Sequence, residues 1–363
     1  MSGFGVNRLN IKLYTIYLHL IKMEKPNIFN YATSELSQDA VLIWLANWAK
    51  PDYSNKNEKL HKTGKYFLNS LLKKAEKSFN HFDEINVIPQ HHKIDVFIEL
   101  KVENQKIAII IEDKIKSSEH SNQLTKYYNK ISQKYTKEQI IPIYLKTGFQ
   151  HNFDNVSKTG YFLYSINDLM SVFEFGRNLN IENDIFLDFH AYLSQLKEQF
   201  ENDKKSFENF PSKKIKDWNW WNWIGFFDKH KHSLNAKWKI IPNSREPLVS
   251  LWFGRTTETI IKEGEKISFR SYIDIKYSGR NYYAFSYRLD LNGNPQNNKK
   301  LRDEIIQRIK GRIEGNKIEV QIPRFRKAKN TIELLKVVNI NKDMDENQVV
   351  GFLKELERIL KGR

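Results

Sequence analysis

Three side chains near the middle of the chain have types and spacing that could do chemistry. Asp95 interrupts the apolar run Ile94-Asp95-Val96-Phe97-Ile98-Glu99-Leu100, and Glu112 and Lys114 stand at the end of the run from Lys106 to Ile115. Both runs are rich in Val, Ile and Phe, and the polar Val102-Glu103-Asn104-Gln105 between them predicts a β-hairpin turning at Glu103-Asn104. Pairing Val102 with Gln105 puts Asp95 opposite Glu112, with Lys114 two residues on and on the same face. A slip of one residue would send Asp95 to the other face, so the reading depends on this register. Two carboxylates and an ammonium on one surface suit phosphodiester hydrolysis. A hard divalent cation held by oxygen ligands stabilises the attacking and leaving oxygens and makes a water nucleophilic. A lysine beside the carboxylates lowers the cost of placing them together and could orient that water. Glu-x-Lys alone arises by chance in any Lys-rich chain, and it is Asp95 on the paired strand that gives it weight.

The flanking sequence predicts the elements that would position these groups. Residues 1–30 are expected to be an N-terminal extension. The apolar stretch from Leu9 to Ile21 is broken by Lys12 and His19, too short for a membrane span and without a small-residue cleavage site, and Met23 offers an alternative start. A helix capped by Ser34 should run to Trp48, with Leu36, Ala40, Ile43, Trp44 and Asn47 on one stripe and Glu35 in its first turn. Glu35 could equally be a complement to the helix dipole. A Lys- and Asn-rich link and an amphipathic helix from Lys65 to Phe79 come next, then a strand over residues 84–90. The neighbours His91 and His92 would point to opposite faces of a strand and so are poorly placed to share a metal. Beyond Lys114, a helix capped at Ser118 carries Gln123 and Tyr127, four apart on one face. Strands at 140–145 and 161–164 and a helix from Ser165 complete an α/β order, with a helical crossover inside a mixed sheet.

This first domain is expected over residues 31–200, with a polar linker over 201–216 and an α+β domain over 217–363. The second domain opens on Trp218-Asn219-Trp220-Trp221-Asn222-Trp223, read as an aromatic core helix in preference to a stacking platform for bases. Four strands, a helix over 300–310, a strand over 332–338 and a helix over 346–360 complete it. Basic residues crowd there, among them Arg302, Arg312, Arg324, Arg326 and Lys327, as a candidate phosphate-binding surface or an ordinary solvated face.

Composition agrees with a folded, nucleic-acid-facing protein. The net charge is +16 and the hydrophobic fraction 40%, and such a basic excess favours a polyanionic partner, nucleic acid before acidic membrane. The chain has no cysteine, which excludes disulfides, thiolate metal sites and cysteine nucleophiles. A reducing, cytoplasmic setting is expected. No internal repeat and no Gly-rich phosphate loop is present.

The segment Ile94-Asp95-Val96-Phe97-Ile98 with Ile109-Ile110-Ile111-Glu112-Asp113-Lys114 resembles the active-site signature of the PD-(D/E)XK nuclease superfamily, the restriction-endonuclease-like fold. Ser34-Glu35-Leu36-Ser37-Gln38-Asp39-Ala40 and Gln123-x-x-x-Tyr127 are similar to elements that flank that signature, so the resemblance covers residues 31–170. It implies that Asp95 and Glu112 bind Mg²⁺, or Mn²⁺ as a substitute, helped by the backbone carbonyl of Asp113 and by Glu35. Lys114 would act on the water, and Gln123 would steady the phosphate or the lysine, with Tyr127 behind it. The residue before Asp95 is isoleucine where the family often has proline. The resulting expectation is a Mg²⁺-dependent nuclease, on DNA in preference to RNA, whose second domain contacts nucleic acid or a protein partner. A homodimer would suit cutting of both strands; restriction, repair and antiviral defence are all open settings, with analogy favouring defence. The alternative is a non-catalytic nucleic-acid-binding or assembly protein on the same scaffold.

Overall fold

In the computed structural model, β1 (Glu84–His91), β2 (Ile94–Val102) and β3 (Gln105–Lys114) form an antiparallel meander. The structure describes residues 26–362 except 33, 120–121, 242–246, 263–264, 279–281, 291–297, 317 and 327–330. The β2–β3 hairpin has the expected register, Val102 opposite Gln105 and Val96 opposite Ile111. Its two turn residues, Glu103 and Asn104, have φ of 48° and 66°. Positive φ at both positions gives a tight turn the same twist as the strands it joins. Next, β4 (Ile140–Lys146) and β5 (Phe162–Ser165) add in parallel, completing a mixed sheet in the order β1-β2-β3-β4-β5. Pro89 is tolerated because β1 is an edge strand.

Helices cover both faces of this sheet. On one side lie α1 (Glu35–Trp48) and α2 (Glu58–Leu72), with α4 (Ile166–Asn178) and the start of α5 (Asp184–Glu208), packed over Val96, Ile98, Ile109 and Ile111. On the other, α3 (Gln123–Ile131), the crossover between β3 and β4, packs over Phe97, Ala108 and Ile110. Side chains alternate along a strand, so Glu112 and Lys114 project toward α3 while Asp113 between them projects toward α1.

Several local expectations change. Of the stripe Leu36, Ala40, Ile43, Trp44 and Asn47, Leu36 at 64% and Ala40 are exposed and the other three only half-buried, Ile43 and Trp44 at the margin of the core, and α1 fully buries Gln38, Val41, Leu42, Leu45 and Ala46 instead. Two apolar stripes compete on this helix, and the one beginning at Gln38 has polar partners at the sheet's end. Helix α2 starts at Glu58 because Asn57 caps it, accepting from Leu60 N. Of the expected extension, residues 1–25 lie outside the described residues, and Phe29 in the turn Ile28–Asn30 packs on Phe189 and Tyr192. The stretch 201–216 is no linker: α5 continues to Glu208, and Phe210 and Ile215 belong to the core of the C-terminal domain.

The chain divides into two compact units between Glu201 and Asn202. The second is built on β6 (Lys237–Ile241), β7 (Leu248–Lys262), β8 (Glu265–Ser278), β9 (Tyr282–Asp290), β10 (Val320–Gln321) and β11 (Thr331–Val337), an antiparallel sheet in the order β10-β11-β9-β8-β7-β6. One face packs against α6 (Trp220–His230), α7 (Asn298–Glu314) and α8 (Glu346–Lys361). The aromatic run is core, as its consecutive apolar positions suggest: Trp223, Phe226 and Phe227 are fully buried.

Candidate active site

The end of the hairpin nearest α3 gathers charge around one ammonium. Lys114 Nζ is hydrogen-bonded to Glu112 Oε1 and lies 3.6 Å from Asp95 Oδ2 and 4.0 Å from Glu35 Oε2, and it donates to the Asp113 carbonyl at 2.9 Å. Asp95 is fixed by the hairpin itself, its Oδ2 accepting from Asp113 N at 2.9 Å. Gln123, at the start of α3, donates to Glu112 Oε1 at 2.5 Å and to Tyr127 Oη at 3.0 Å. Burial, and then the Asp95 charge, push the Glu112 carboxyl up to about 8 in spite of the Lys114 ammonium. Burial opposes the charge on Lys114 as well, but the bond to Glu112 and the surrounding carboxylates raise its pKa above the ordinary value, so it is a cation here and no proton acceptor.

Behind β3 lies a second layer. Gln38 donates to Asp113 Oδ1 at 2.5 Å and accepts from Thr147 Oγ1 at 3.3 Å, so a buried amide ties α1 to the ends of β3 and β4. Asp39 lies beside Asp113; burial followed by Asp95 pushes it up to about 7, and burial followed by Asp39 raises Asp113. Glu35 is held by the loop after β3, its Oε1 accepting from Ile115 N at 3.1 Å and Ser117 Oγ at 2.8 Å. That loop is pinned by Lys146, paired with Lys114 across the parallel strands, which donates to the carbonyls of Ile115 and Ser117 at 2.9 and 2.6 Å. Burial lowers the Lys146 ammonium to about 8. The approach is close enough that a Cβ on Gly148 would lie 2.1 Å from Ile115 O.

The donor set fits a hard divalent cation. Glu35, Asp95, Glu112 and the Asp113 carbonyl present only oxygen, and the buried Glu112 Oε2, Asp39 Oδ1 and Asp113 Oδ2 have no hydrogen-bond partner. Six carboxyls, counting Glu119, whose charge also acts on Lys146 and whose Oε2 is buried without a partner, face two ammoniums, Lys114 and Lys146, so the cluster lacks positive charge. Among the described residues no three acidic or imidazole side chains form a closed metal cage, which agrees with the Lys114 ammonium standing among the carboxylates.

Of the residues expected from the sequence, Glu35, Asp95, Glu112, Asp113, Lys114, Gln123 and Tyr127 come together here. Gln38, Asp39, Ser117 and Lys146 were not singled out. The signal available for Lys146 is a charge closing the apolar strand Ile140-Ile141-Pro142-Ile143-Tyr144-Leu145, at the carboxyl end where ligands of parallel sheets gather. The basic group of the second unit is dispersed. Arg324 and Arg326 are exposed and Lys327 lies outside the described residues. Arg302 is buried, donating to the carbonyls of Glu333 and Pro323, and Arg312 donates to Leu360 O, so both serve the fold. No described helix is long and apolar enough to cross a membrane.

No curated protein and no solved structure matches the chain. Residues 26–224, more than half of it, match the sequence model of a family of nucleases, and the chain belongs to the PD-(D/E)XK nuclease superfamily.

Proposed function

We propose that this protein is a divalent-cation-dependent nuclease that hydrolyses phosphodiester bonds in DNA, with Mg²⁺ as its cofactor and Mn²⁺ able to replace it. The observation that carries this reading is the convergence of Glu35, Asp95 and Glu112 on Lys114 at the end of a buried strand, with one Glu112 oxygen buried and unpartnered. Asp95, Glu112 and the Asp113 carbonyl would hold the cation, with Glu35 extending the site. When bound, the cation supplies Lewis-acid stabilisation of the phosphate and a more acidic water. Lys114, protonated, orients the attacking water and offsets charge developing on the phosphate oxygens. Gln123 holds Glu112 in one rotamer, and Tyr127 holds Gln123. The second unit, through exposed cations such as Arg324 and Arg326, adds phosphate contacts, and antiviral defence is the setting we infer.

Supercoiled plasmid incubated with the purified chain and Mg²⁺ tests the reading. Nicking or linearisation is expected from the wild type, not from Asp95→Ala or Lys114→Ala, and chelation should stop it. Inactivity of the wild type on both duplex and single-stranded substrates would remove the enzyme; equal cleavage by all three proteins would remove the site.

A further inference from the structure

The outward side of α1 carries a second feature. Trp44, Asn47 and Trp48, together with Tyr53 from the turn Pro51–Tyr53, line a cavity of about 220 Å³. The rings stand at steep angles: Trp44 to Trp48 is 6.2 Å at 81°, and Trp48 to Tyr53 is 5.5 Å at 56°. All four residues are partly exposed, so the cavity opens to solvent. The lining carries polar groups in the Tyr53 hydroxyl, the indole N–H groups and Asn47, whose Nδ2 donates to Ile43 O at 2.8 Å, and the Lys56 ammonium lies 5.9 Å from the Tyr53 ring centre.

We propose that this cavity takes one base of a nucleic-acid strand, stacked on one indole face with the other ring at its edge, the Asn47 Oδ1 accepting from the base and Lys56 on a neighbouring phosphate. Three aromatic walls suit a flat π-face of any sequence, and base–aromatic stacking contributes roughly 1–3 kcal/mol per base. A quaternary ammonium is the other ligand that rings recognise, but no carboxylate lines the cavity and the Lys56 ammonium stands beside its Tyr53 wall. The net charge of +16 favours an anionic strand on the same grounds. Glu35 and Trp48 are the two ends of α1, about 20 Å apart at 1.5 Å per residue, a span of several nucleotides of strand. The cavity would therefore hold the strand several nucleotides from the bond that is cut. The choice of a nucleic acid rests on the nuclease reading.

Binding of two labelled twelve-nucleotide strands to full-length Lys114→Ala protein tests this: oligothymidylate, and a strand of the same length without bases. Oligothymidylate should bind roughly tenfold tighter. Adding Trp44→Ala or Tyr53→Ala should remove that preference and leave the baseless strand unaffected. Equal binding of the two strands overturns the proposal, and needs no cavity variant to be seen. So does a preference that survives both substitutions. Quenching of tryptophan fluorescence by tetramethylammonium that Trp44→Ala abolishes would make the cavity a cation cage, and a dimer that Trp44→Ala dissociates would make it a self-contact; either outcome replaces the base. Plasmid cleavage without a base preference sinks the cavity alone, and a base preference without cleavage sinks the enzyme alone.

Discussion

Each sheet of this protein buries a carboxylate beside lysine or arginine, and the two are solved in opposite ways. In the second unit Asp274, 1% exposed, accepts from Ser250 Oγ and is flanked by Lys276 at 3.0 Å and Arg288 at 3.5 Å, with Glu333 on the far side of Arg288 at 3.8 Å. Two acids meet two bases, and neither Asp274 oxygen is among the buried atoms without a partner. In the first unit six carboxyls, Glu119 among them, meet two ammoniums, four buried carboxyl oxygens are unpartnered, and Glu112 is pushed up to about 8 by burial and by Asp95. A balanced cluster stabilises its fold. An unbalanced one, with buried carboxyls pushed far from their ordinary range, is the pattern active sites show, so the hairpin and not the second sheet is the candidate active site.

The contrast can be broken most directly by activity. Asp95→Ala or Lys114→Ala should lower plasmid cleavage by about 10²–10³-fold or more, whereas Asp274→Asn should leave the cleavage rate of the folded protein within about twofold; a comparable loss from Asp274→Asn would erase the distinction. Stability should show the reverse order. Removing one partner of a buried ion network costs about 3 kcal/mol, so Asp274→Asn should lower the urea midpoint clearly. Glu112→Gln, measured with a chelator present, removes a carboxyl from a cluster with too many and should be neutral or stabilising. A large destabilisation by Glu112→Gln would mean that its cluster is as balanced as the other.

The smallest effect sharpens the role of Lys146. Lys146→Met frees the loop that fixes Glu35 and should reduce cleavage about tenfold, the low end for a positioning residue. Because burial lowers Lys146 to about 8 in the folded state against an ordinary 10.5, the unfolded chain binds more protons between those values. Wild-type stability should therefore rise with pH in that window relative to Lys146→Met, by up to about 1.4 kcal/mol per pH unit. Parallel pH curves for the two proteins would show that the lysine is not held charged against burial.

How much of this was legible in the sequence varies with the range of the interaction. The hairpin was, because strand alternation and a polar two-residue turn specify the register locally, and with it the common face of Asp95, Glu112 and Lys114. Gln123 and Tyr127 were legible as a helical pair. The orientation of α1 was not: Leu36, Trp44 and their neighbours form as good a stripe as Val41, Leu42 and Leu45, and only the contacts of Gln38 with Asp113 and Thr147, 75 and 109 residues away, decide between them. Lys146 was passed over for the same reason, since its partners lie on a loop some 30 residues before it. Arg302 and Arg312 looked like surface cations because charge in a sequence carries no sign of the carbonyls it will meet.

The turn at Glu103 and Asn104 has a consequence far from itself. It works as the fixed end of a lever: nine positions separate Glu103 from Glu112, roughly 30 Å of extended chain at 3.3 Å each, yet the length of that turn, together with the alternation of the strands, sets whether Asp95 faces Glu112 or the opposite side of the sheet. The composition of the turn is free to drift toward any pair that accepts positive φ, but its length is not. A single added residue there that slipped the register would part Asp95 from Glu112 without altering either side chain.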